Sequence, residues 1–300
     1  MLLTVPLPTQ SATRKPLMTR TAALQLPLLA LLLLAGCTPG EAPAPGQQAA
    51  ATPSLPRKAD GKPDLDGIWQ SMTTANWNLE PHAASQGATE VLGAIGAVPP
   101  GIGVIRQGTI PYLQEALAQR TQNFANRRTE DPEAKCYRPG VPRATYMPYP
   151  FQIFQSADEV FITYQYASAT RTINLKEPVK APFDSWMGWS NAHWEGDTLV
   201  VDVTAQNGQA WLDRAGNYAS ANVHVVERYT LIDRDHMQYE ATIEDPSVFS
   251  SAWTVAMPLY RLIEPDARLL EFKCVEFSEE LIYGHLSKKT ATAPGGSRNE

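Results

Sequence analysis

The segment from Phe151 to Phe277 restricts the fold most, because apolar and polar side chains alternate along much of it. The clearest run is 237–244, in which every odd position is apolar and every even position is polar. A period of two is typical of β-strands that have one buried face. No helical pattern intervenes between consecutive strands, so we predict an antiparallel meander. Short turn sequences separate the further strands predicted at 160–166, 198–204, 223–232 and 253–263.

About eight or nine such strands are enough for a sheet to curl and close, which removes exposed strand edges. The sequence therefore predicts a mainly β fold, either a lipocalin-like barrel or a strongly curved sheet, and a two-sheet sandwich is the alternative. The last hairpin is predicted to join strands at 253–263 and 268–277. One amphipathic helix is expected in the N-terminal half, at 111–128, with one face formed by Leu113, Leu117 and Phe124.

Residues 19–36 have the plan of a secretory signal, in which one positive charge precedes an uncharged apolar run and small residues. The apolar run is shorter than the roughly 20 residues that a membrane span requires. It ends in a Leu-Ala-Gly-Cys sequence at Cys37 that resembles the lipobox of bacterial lipoproteins. The resemblance implies cleavage before Cys37 and lipidation of that cysteine. A plain signal peptide and a membrane anchor with an incidental cysteine are the alternatives, and Met18 is an alternative start.

We predict a signal peptide at 1–36, a lipidated cysteine and flexible tether at 37–58, one β-rich domain at 59–286 and a disordered tail at 287–300. Thr38 follows the cysteine, instead of the aspartate that resembles an inner-membrane retention signal. We therefore expect an exported, membrane-anchored protein that faces the periplasm, on the outer membrane rather than the inner one.

Residues 1–36 carry three positive charges and no acidic residue, so their removal changes the formal net charge from −6 to −9. An acidic domain without a basic stripe cannot readily displace counterions from phosphates. No nucleic-acid partner is therefore expected.

Two cysteines, Cys136 and Cys274, remain once Cys37 is lipidated. Outside the cytoplasm an even pair favours a disulfide, and two separately buried thiols are the alternative. By the loop-entropy model such a long closure stabilises the fold by roughly 4–5 kcal/mol.

Several familiar site classes have no signature in this sequence. It contains no G-x-S-x-G elbow, no Walker A loop, no G-x-G-x-x-G that opens a helix after a strand and no H-E-x-x-H. The histidines are scattered singly and lack the close spacing of a zinc site, so we expect no cofactor and no metal. A metal site assembled from distant strands is the alternative. The five positions are His82, His193, His224, His236 and His285.

Aromatic and polar residues are concentrated between 184 and 216, which predicts a small-molecule site in the mouth of the barrel. Tryptophan faces provide apolar contact or stack on sugar rings, while amide, carboxylate and guanidinium groups fix orientation. The alternative is that these rings fill the core and that the charges cross-link strands. The predicted ligand-binding residues are Trp186, Trp189, Asn191, Trp211, Asp213 and Arg214.

An enzyme working in the same pocket would use His224 as its base, oriented by Asp213 or Glu227. Arg214 or Arg171 would then hold an anionic substrate. The alternative is a structural histidine on a strand.

Several motifs resemble a family of secreted soil-bacterial proteins for which no activity is established. They cover most of the folded region: PDLDGIW, DPEAKCYRPGVPR, WMGWSNAHWEGDTLVVDVT, WLDRAG, HVVERYT, IEDPSVF and LLEFKCVEF. The resemblance implies export, a β-rich body and pairing of Cys136 with Cys274, but no catalytic residue. The G-x-W at Gly67-Ile68-Trp69 also looks like the lipocalin signature.

The leading functional hypothesis is an envelope lipoprotein whose barrel binds a small, partly apolar or sugar-like ligand. The first alternative is a cofactor-independent hydrolase, lyase or isomerase that uses the same pocket. The second is a structural or accessory lipoprotein of the outer membrane, with no ligand.

Overall fold

The computed structural model describes residues 54–87 and 90–286. The predicted signal peptide, the lipidation site at Cys37, residues 37–53 of the tether and the tail at 287–300 lie outside the described residues. In the described part, no helix is long and apolar enough to cross a membrane.

Nine strands form a closed barrel in which each strand pairs with the next and the last pairs with the first. The predicted barrel is therefore confirmed, and the sandwich is excluded. The strands are β1 (Gly67–Ser71), β2 (Phe151–Gln155), β3 (Glu159–Tyr164), β4 (Thr170–Asn174), β5 (Trp189–Glu195), β6 (Thr198–Thr204), β7 (His224–Leu231), β8 (His236–Glu244) and β9 (Trp253–Arg261).

One pair of strands departs from the predicted meander. β4 and β5 are parallel, with Ile173 opposite Ser190 and Asn174 opposite Asn191, whereas every other neighbouring pair is antiparallel. Residues 175–188 run back to the end of the barrel at which β4 begins, because a parallel strand must start at the same end as its neighbour. The barrel is therefore mixed rather than purely antiparallel.

The predicted hairpin of 253–263 with 268–277 is wrong in its second half. β9 forms, but it already pairs with β8 on one side and with β1 on the other, so neither edge is free for a further strand. Residues 262–286, here called the C-terminal segment, instead run outside the barrel. Their attachments include a disulfide to Cys136 and a hydrogen bond from the Phe277 amide to the Ala134 carbonyl at 2.8 Å.

The barrel interior is filled by side chains from alternate strand positions. Fully buried rings include Trp69, Phe151, Tyr229, Tyr239 and Trp253, each at most 1% exposed. Polar groups also lie inside, because Arg171 on β4 forms a buried ion pair with Glu227 on β7.

The two ends of the barrel differ in the length of their connections. One end carries the short turns 156–158, 196–197 and 232–235. The other, here called the loop end, carries the long segments 72–150, 205–223 and 245–252. The first of these segments contains helices α1 (Gln114–Ala125), α2 (Arg127–Glu130) and α3 (Arg143–Tyr146), and α4 (Ser278–Tyr283) lies in the C-terminal segment. Short 3-10 helices span Glu90–Gly96, Tyr166–Ser168 and Gly284–Leu286.

Helix α1 lies within the predicted range, but it packs through a different face. Leu117 and Phe124 are 41% and 45% exposed, whereas Ala116 and Asn123 are buried. The Asn123 amide donates to the carbonyl of Gly216 at 3.1 Å. At Gly216 the backbone has a φ of +83°, and a Cβ there would lie 2.7 Å from the nearest backbone atom of α1. The loop that follows Trp211 therefore packs directly against the helix backbone, which only glycine permits.

Candidate ligand cavity

A cavity of about 490 Å³ lies at the loop end, outside the filled barrel interior. Its walls come from four stretches of chain that are distant in sequence: 77–98, the helices α1 and α2, the segment 131–134 and the C-terminal segment. Arg214 and two tyrosines at the ends of β2 and β3, Tyr149 and Tyr166, complete it. This volume lies within the range of roughly 300–1,000 Å³ that is typical of small-molecule sites.

Three aromatic rings form one apolar wall of the cavity. The ring centroid of Phe272 lies 5.1 Å from that of Tyr149 and 5.0 Å from that of Tyr166, and the two tyrosine rings are 5.8 Å apart. Such tilted and edge-to-face arrangements are favourable for aromatic pairs. Leu92 and Ile95, from the 3-10 helix Glu90–Gly96, add aliphatic surface.

A buried group of charges forms the polar wall. Arg214 donates two hydrogen bonds to Glu133, at 2.7 Å to Oε2 and 2.6 Å to Oε1. Arg143 contacts the same carboxylate at 2.6 Å and pairs with Asp131 at 3.1 Å. Burial opposes ionisation, but the adjacent Arg214 and Arg143 hold the pKa of Glu133 below its ordinary value. The carboxylate therefore stays charged beside the cavity.

Arg214 is held in place from both sides. Its guanidinium carbon lies 4.6 Å from the ring centroid of Trp77, a distance at which a cation and an aromatic face attract each other. The preceding residue, Asp213, is fully buried and accepts hydrogen bonds from the amides of Leu79 at 2.9 Å and Ala215 at 2.9 Å. Burial raises the pKa of Asp213, against the hydrogen bonds that favour its charged form. Asp213 thus organises the loop that presents Arg214.

The disulfide between Cys136 and Cys274 joins the polar wall to the C-terminal segment, and the predicted pairing is confirmed. The two Cα atoms are 5.8 Å apart, and Cys274 itself lines the cavity. A disulfide is compatible with an exported protein, because such bonds persist in oxidising compartments.

Only Arg214 of the six predicted ligand-binding residues lines this cavity, with Asp213 directly behind it. Trp186 instead stacks on the ring of Tyr137, with centroids 4.8 Å apart. Trp211 is buried, and its backbone pairs with that of Tyr218.

Trp189 and Asn191 lie on β5, at positions that alternate with the buried Ser190. The side chain of Asn191 accepts a hydrogen bond from the Val179 amide at 3.0 Å and donates one to the Val179 carbonyl at 3.0 Å. This side chain therefore fixes the segment that connects β4 to β5.

The structure does not bring together the residues predicted for an enzyme. His224 lies on the outer face of β7, where its Nε2 is 2.7 Å from Asp202 on β6. Glu227 points into the barrel and pairs with Arg171, while Asp213 lies in the loop behind the cavity.

Most of the residues that line the cavity have no recognisable pattern in the sequence, but three of them do. Arg120, Phe124 and Arg127 follow a spacing of four and then three residues, which places them on one helical face. All three line the cavity. His82, one of the five scattered histidines, lines it as well.

A scan against models of protein families found no match, and a search of curated proteins found none either. Within residues 54–87 and 90–286, no three histidine, cysteine or carboxylate side chains are grouped so that they could hold a metal ion.

Proposed function

We propose that this protein is an envelope lipoprotein that binds a small, partly apolar or sugar-like molecule in the loop-end cavity. The observation that carries the proposal is the cavity itself, whose aromatic wall faces a few charged groups held in fixed positions. Pockets of this kind bury the body of a ligand on apolar surface and orient it with a small number of polar contacts.

The binding experiment starts from wild-type protein purified natively from its own envelope. Mass spectrometry of the molecules released on unfolding should detect a bound compound. Ala97 lines the cavity, so Ala97→Trp should fill it and abolish that compound. Ala118 is exposed on α1, and Ala118→Trp is the matched control that should retain it. A wild-type protein that carries no compound, or retention by the Ala97→Trp variant, would overturn binding at this cavity.

Membrane attachment is proposed to occur through a lipid on Cys37, after cleavage of residues 1–36. The lipobox-like sequence supports this, and the disulfide is compatible with the export that it requires. In cell fractionation the wild type should pellet with membranes. A Cys37→Ser variant should carry no lipid and should appear either as an unprocessed precursor or as soluble protein. A mature wild-type mass without added lipid would refute the anchor.

An enzyme in the same cavity is the second candidate, and His82 is the observation that favours it. Its Nδ1 lies 2.9 Å from the carbonyl oxygen of Glu80, which can only accept a hydrogen bond. Nδ1 therefore carries the proton, and Nε2 is left as a buried acceptor without a partner among the described residues. Such a nitrogen is suited to general-base catalysis. Recovery of the co-purified compound unchanged after incubation with wild-type protein would exclude this candidate.

A further inference from the structure

We infer that the loop-end cavity takes an apolar carboxylate, with the anionic group on Arg127 and the apolar body on the aromatic wall. This inference rests on the proposed binding function and narrows it to one chemical class. Neutral sugars and neutral apolar molecules are the competing classes.

The cavity wall carries more positive than negative charge once the residue behind it is included. The lining contains four arginines and four carboxylates, and each carboxylate lies within ion-pair distance of an arginine. Asp131 pairs with Arg143, Glu133 with Arg143 and Arg214, Glu279 with Arg214 at 3.8 Å, and Glu280 with Arg128. With Arg143 behind the wall, five arginines meet four carboxylates, a net charge of +1, and two of the lining arginines lie outside these ion pairs.

Those two cations are Arg120 and Arg127. Neither has a carboxylate within 4.0 Å in the part of the chain that the structure describes. Arg120 is engaged by Asn217 through a long hydrogen bond of 3.4 Å. The charge of Glu279 favours the charged form of Arg127, but the two side chains form no ion pair, and that of Glu279 is 61% exposed. Arg127 is thus the cation most available to a ligand.

Arg127 is held in place by its contacts with Phe124. Its guanidinium carbon lies 4.3 Å from the ring centroid of Phe124, and one of its nitrogens donates to the Phe124 carbonyl at 2.8 Å. The remaining donors of the guanidinium take part in no ion pair with the described residues. Burial lowers the pKa of Arg127, and the neighbouring charge of Arg128 lowers it further. A partly desolvated cation without a counter-ion gains most from a carboxylate, with which arginine forms two parallel hydrogen bonds.

Aromatic rings line another part of the cavity. Tyr149, Tyr166 and Phe272 form a continuous aromatic surface, and Phe277 and Tyr283 extend it along the C-terminal segment. A ligand that spans from Arg127 to this surface must have a charged end and an apolar body. Inorganic anions lack that body, and neutral sugars leave Arg127 without a partner.

A matched pair of probes tests the inference: 4-phenylbutyrate and 4-phenylbutan-1-ol share a body and differ in charge. Calorimetric titration of the full-length processed protein in detergent, corrected for a protein-free micelle blank, measures both affinities. We expect the carboxylate to bind at least about tenfold more tightly than the alcohol, the range of one charge-assisted hydrogen bond.

The variant Arg127→Gln should lower carboxylate affinity by about tenfold or more and leave that of the alcohol unchanged. Arg228→Gln is the control, because it removes the same charge from a residue on the outer face of β7 that pairs with Glu195 and does not line the cavity. Its effect on either probe should stay below about threefold. Arg127→Lys keeps the charge without the planar fork and should lose less affinity than Arg127→Gln. Far-UV circular dichroism shows whether each variant is folded.

Equal affinity of the two probes, or an equal loss for Arg127→Gln and Arg228→Gln, would overturn the carboxylate inference and leave binding itself intact. If neither probe binds, the molecule that co-purifies with wild-type protein decides: an anion that Arg127→Gln loses supports the inference, and a neutral molecule overturns it. Absence of both probe binding and a co-purified molecule would instead overturn the proposed function.

Discussion

Replacing Glu227 with glutamine removes one charge from the barrel interior and scarcely changes the size of the side chain. Glu227 is fully buried and forms an ion pair with Arg171, which is almost as buried. Its Oε1 also accepts hydrogen bonds from the hydroxyls of Tyr229 at 3.0 Å and Tyr239 at 2.7 Å. Glutamine keeps an oxygen that accepts both of these bonds. The other oxygen, Oε2, accepts from Arg171, and glutamine replaces it with an amide nitrogen that can only donate. The substitution therefore removes the negative charge together with the acceptor that Arg171 uses.

The expected cost follows from what remains around Arg171. It keeps a hydrogen bond to Ser190 at 2.9 Å, but Glu227 is the only carboxylate within 4.0 Å of it among the described residues. Removing one partner of a buried ion pair costs about 3–5 kcal/mol, because the other charge is left uncompensated. That is a large part of the roughly 5–15 kcal/mol that stabilises a typical domain. Adding Arg171→Met to Glu227→Gln should recover most of the loss, since no buried charge then remains.

Urea unfolding, followed by tryptophan fluorescence and far-UV circular dichroism, measures these free energies. Glu195→Gln serves as the control, because Glu195 pairs with Arg228 at 2.8 Å on the exposed surface and its removal should leave stability nearly unchanged. A loss below about 1 kcal/mol for Glu227→Gln would refute the reasoning, since that is the range of an exposed pair. A double variant no more stable than Glu227→Gln would refute it as well.

Three further predictions concern the walls of the cavity. Replacing Cys136 and Cys274 together with serine should lower the free energy of unfolding by up to about 5 kcal/mol, given their separation of 138 residues; urea unfolding that matches the wild type would contradict this. Gly216→Ala should lower the free energy of unfolding by more than the about 1–2 kcal/mol that an alanine in the left-handed backbone region costs. The reason is that the added Cβ would also clash with the backbone of α1. Gly196→Ala, with a φ of +59° and open space around it, is the control, and equal losses of stability would count against the clash. The pKa of Glu133 is lowered in the folded state, so its stabilisation is complete above its ordinary value of 4.5 and is lost as the pH falls through the lowered value. The urea concentration at the unfolding midpoint should therefore fall less steeply with decreasing pH in Glu133→Gln than in the wild type. Parallel curves for the two proteins would contradict the pKa shift.

The strands were predictable because alternation records which side of a sheet is buried. The segment 237–244 gave β8 almost to the residue, and the turn sequences gave the antiparallel pairs around it. Alternation does not record which edge of a strand is occupied. Residues 268–277 carry strand-forming side chains, yet β9 has no free edge to offer them. The parallel pairing of β4 with β5 was hidden for the same reason, since partners are chosen in three dimensions.

The candidate site was less predictable, because its residues are not neighbours in sequence. Local enrichment in tryptophan predicted a ligand site at Trp186 and Trp189, but neither residue lines the cavity. Trp77, Arg127 and Phe272 come from three separate segments and are brought together only by the tertiary fold. The aromatic stretch includes Arg214 and therefore predicted it, whereas no local pattern marks Glu133, the carboxylate that holds Arg214 in place.

Closure of the barrel also determines where this protein can vary during evolution. Residues 268–277 pair with no strand of the barrel, so no β-sheet register restricts which side chains they can carry. Substitutions there alter the shape and polarity of one cavity wall while the hydrogen bonds of the barrel stay as they are. Related chains that keep the nine strands and the Cys136–Cys274 pair can therefore differ in the shape and polarity of this cavity through this stretch alone.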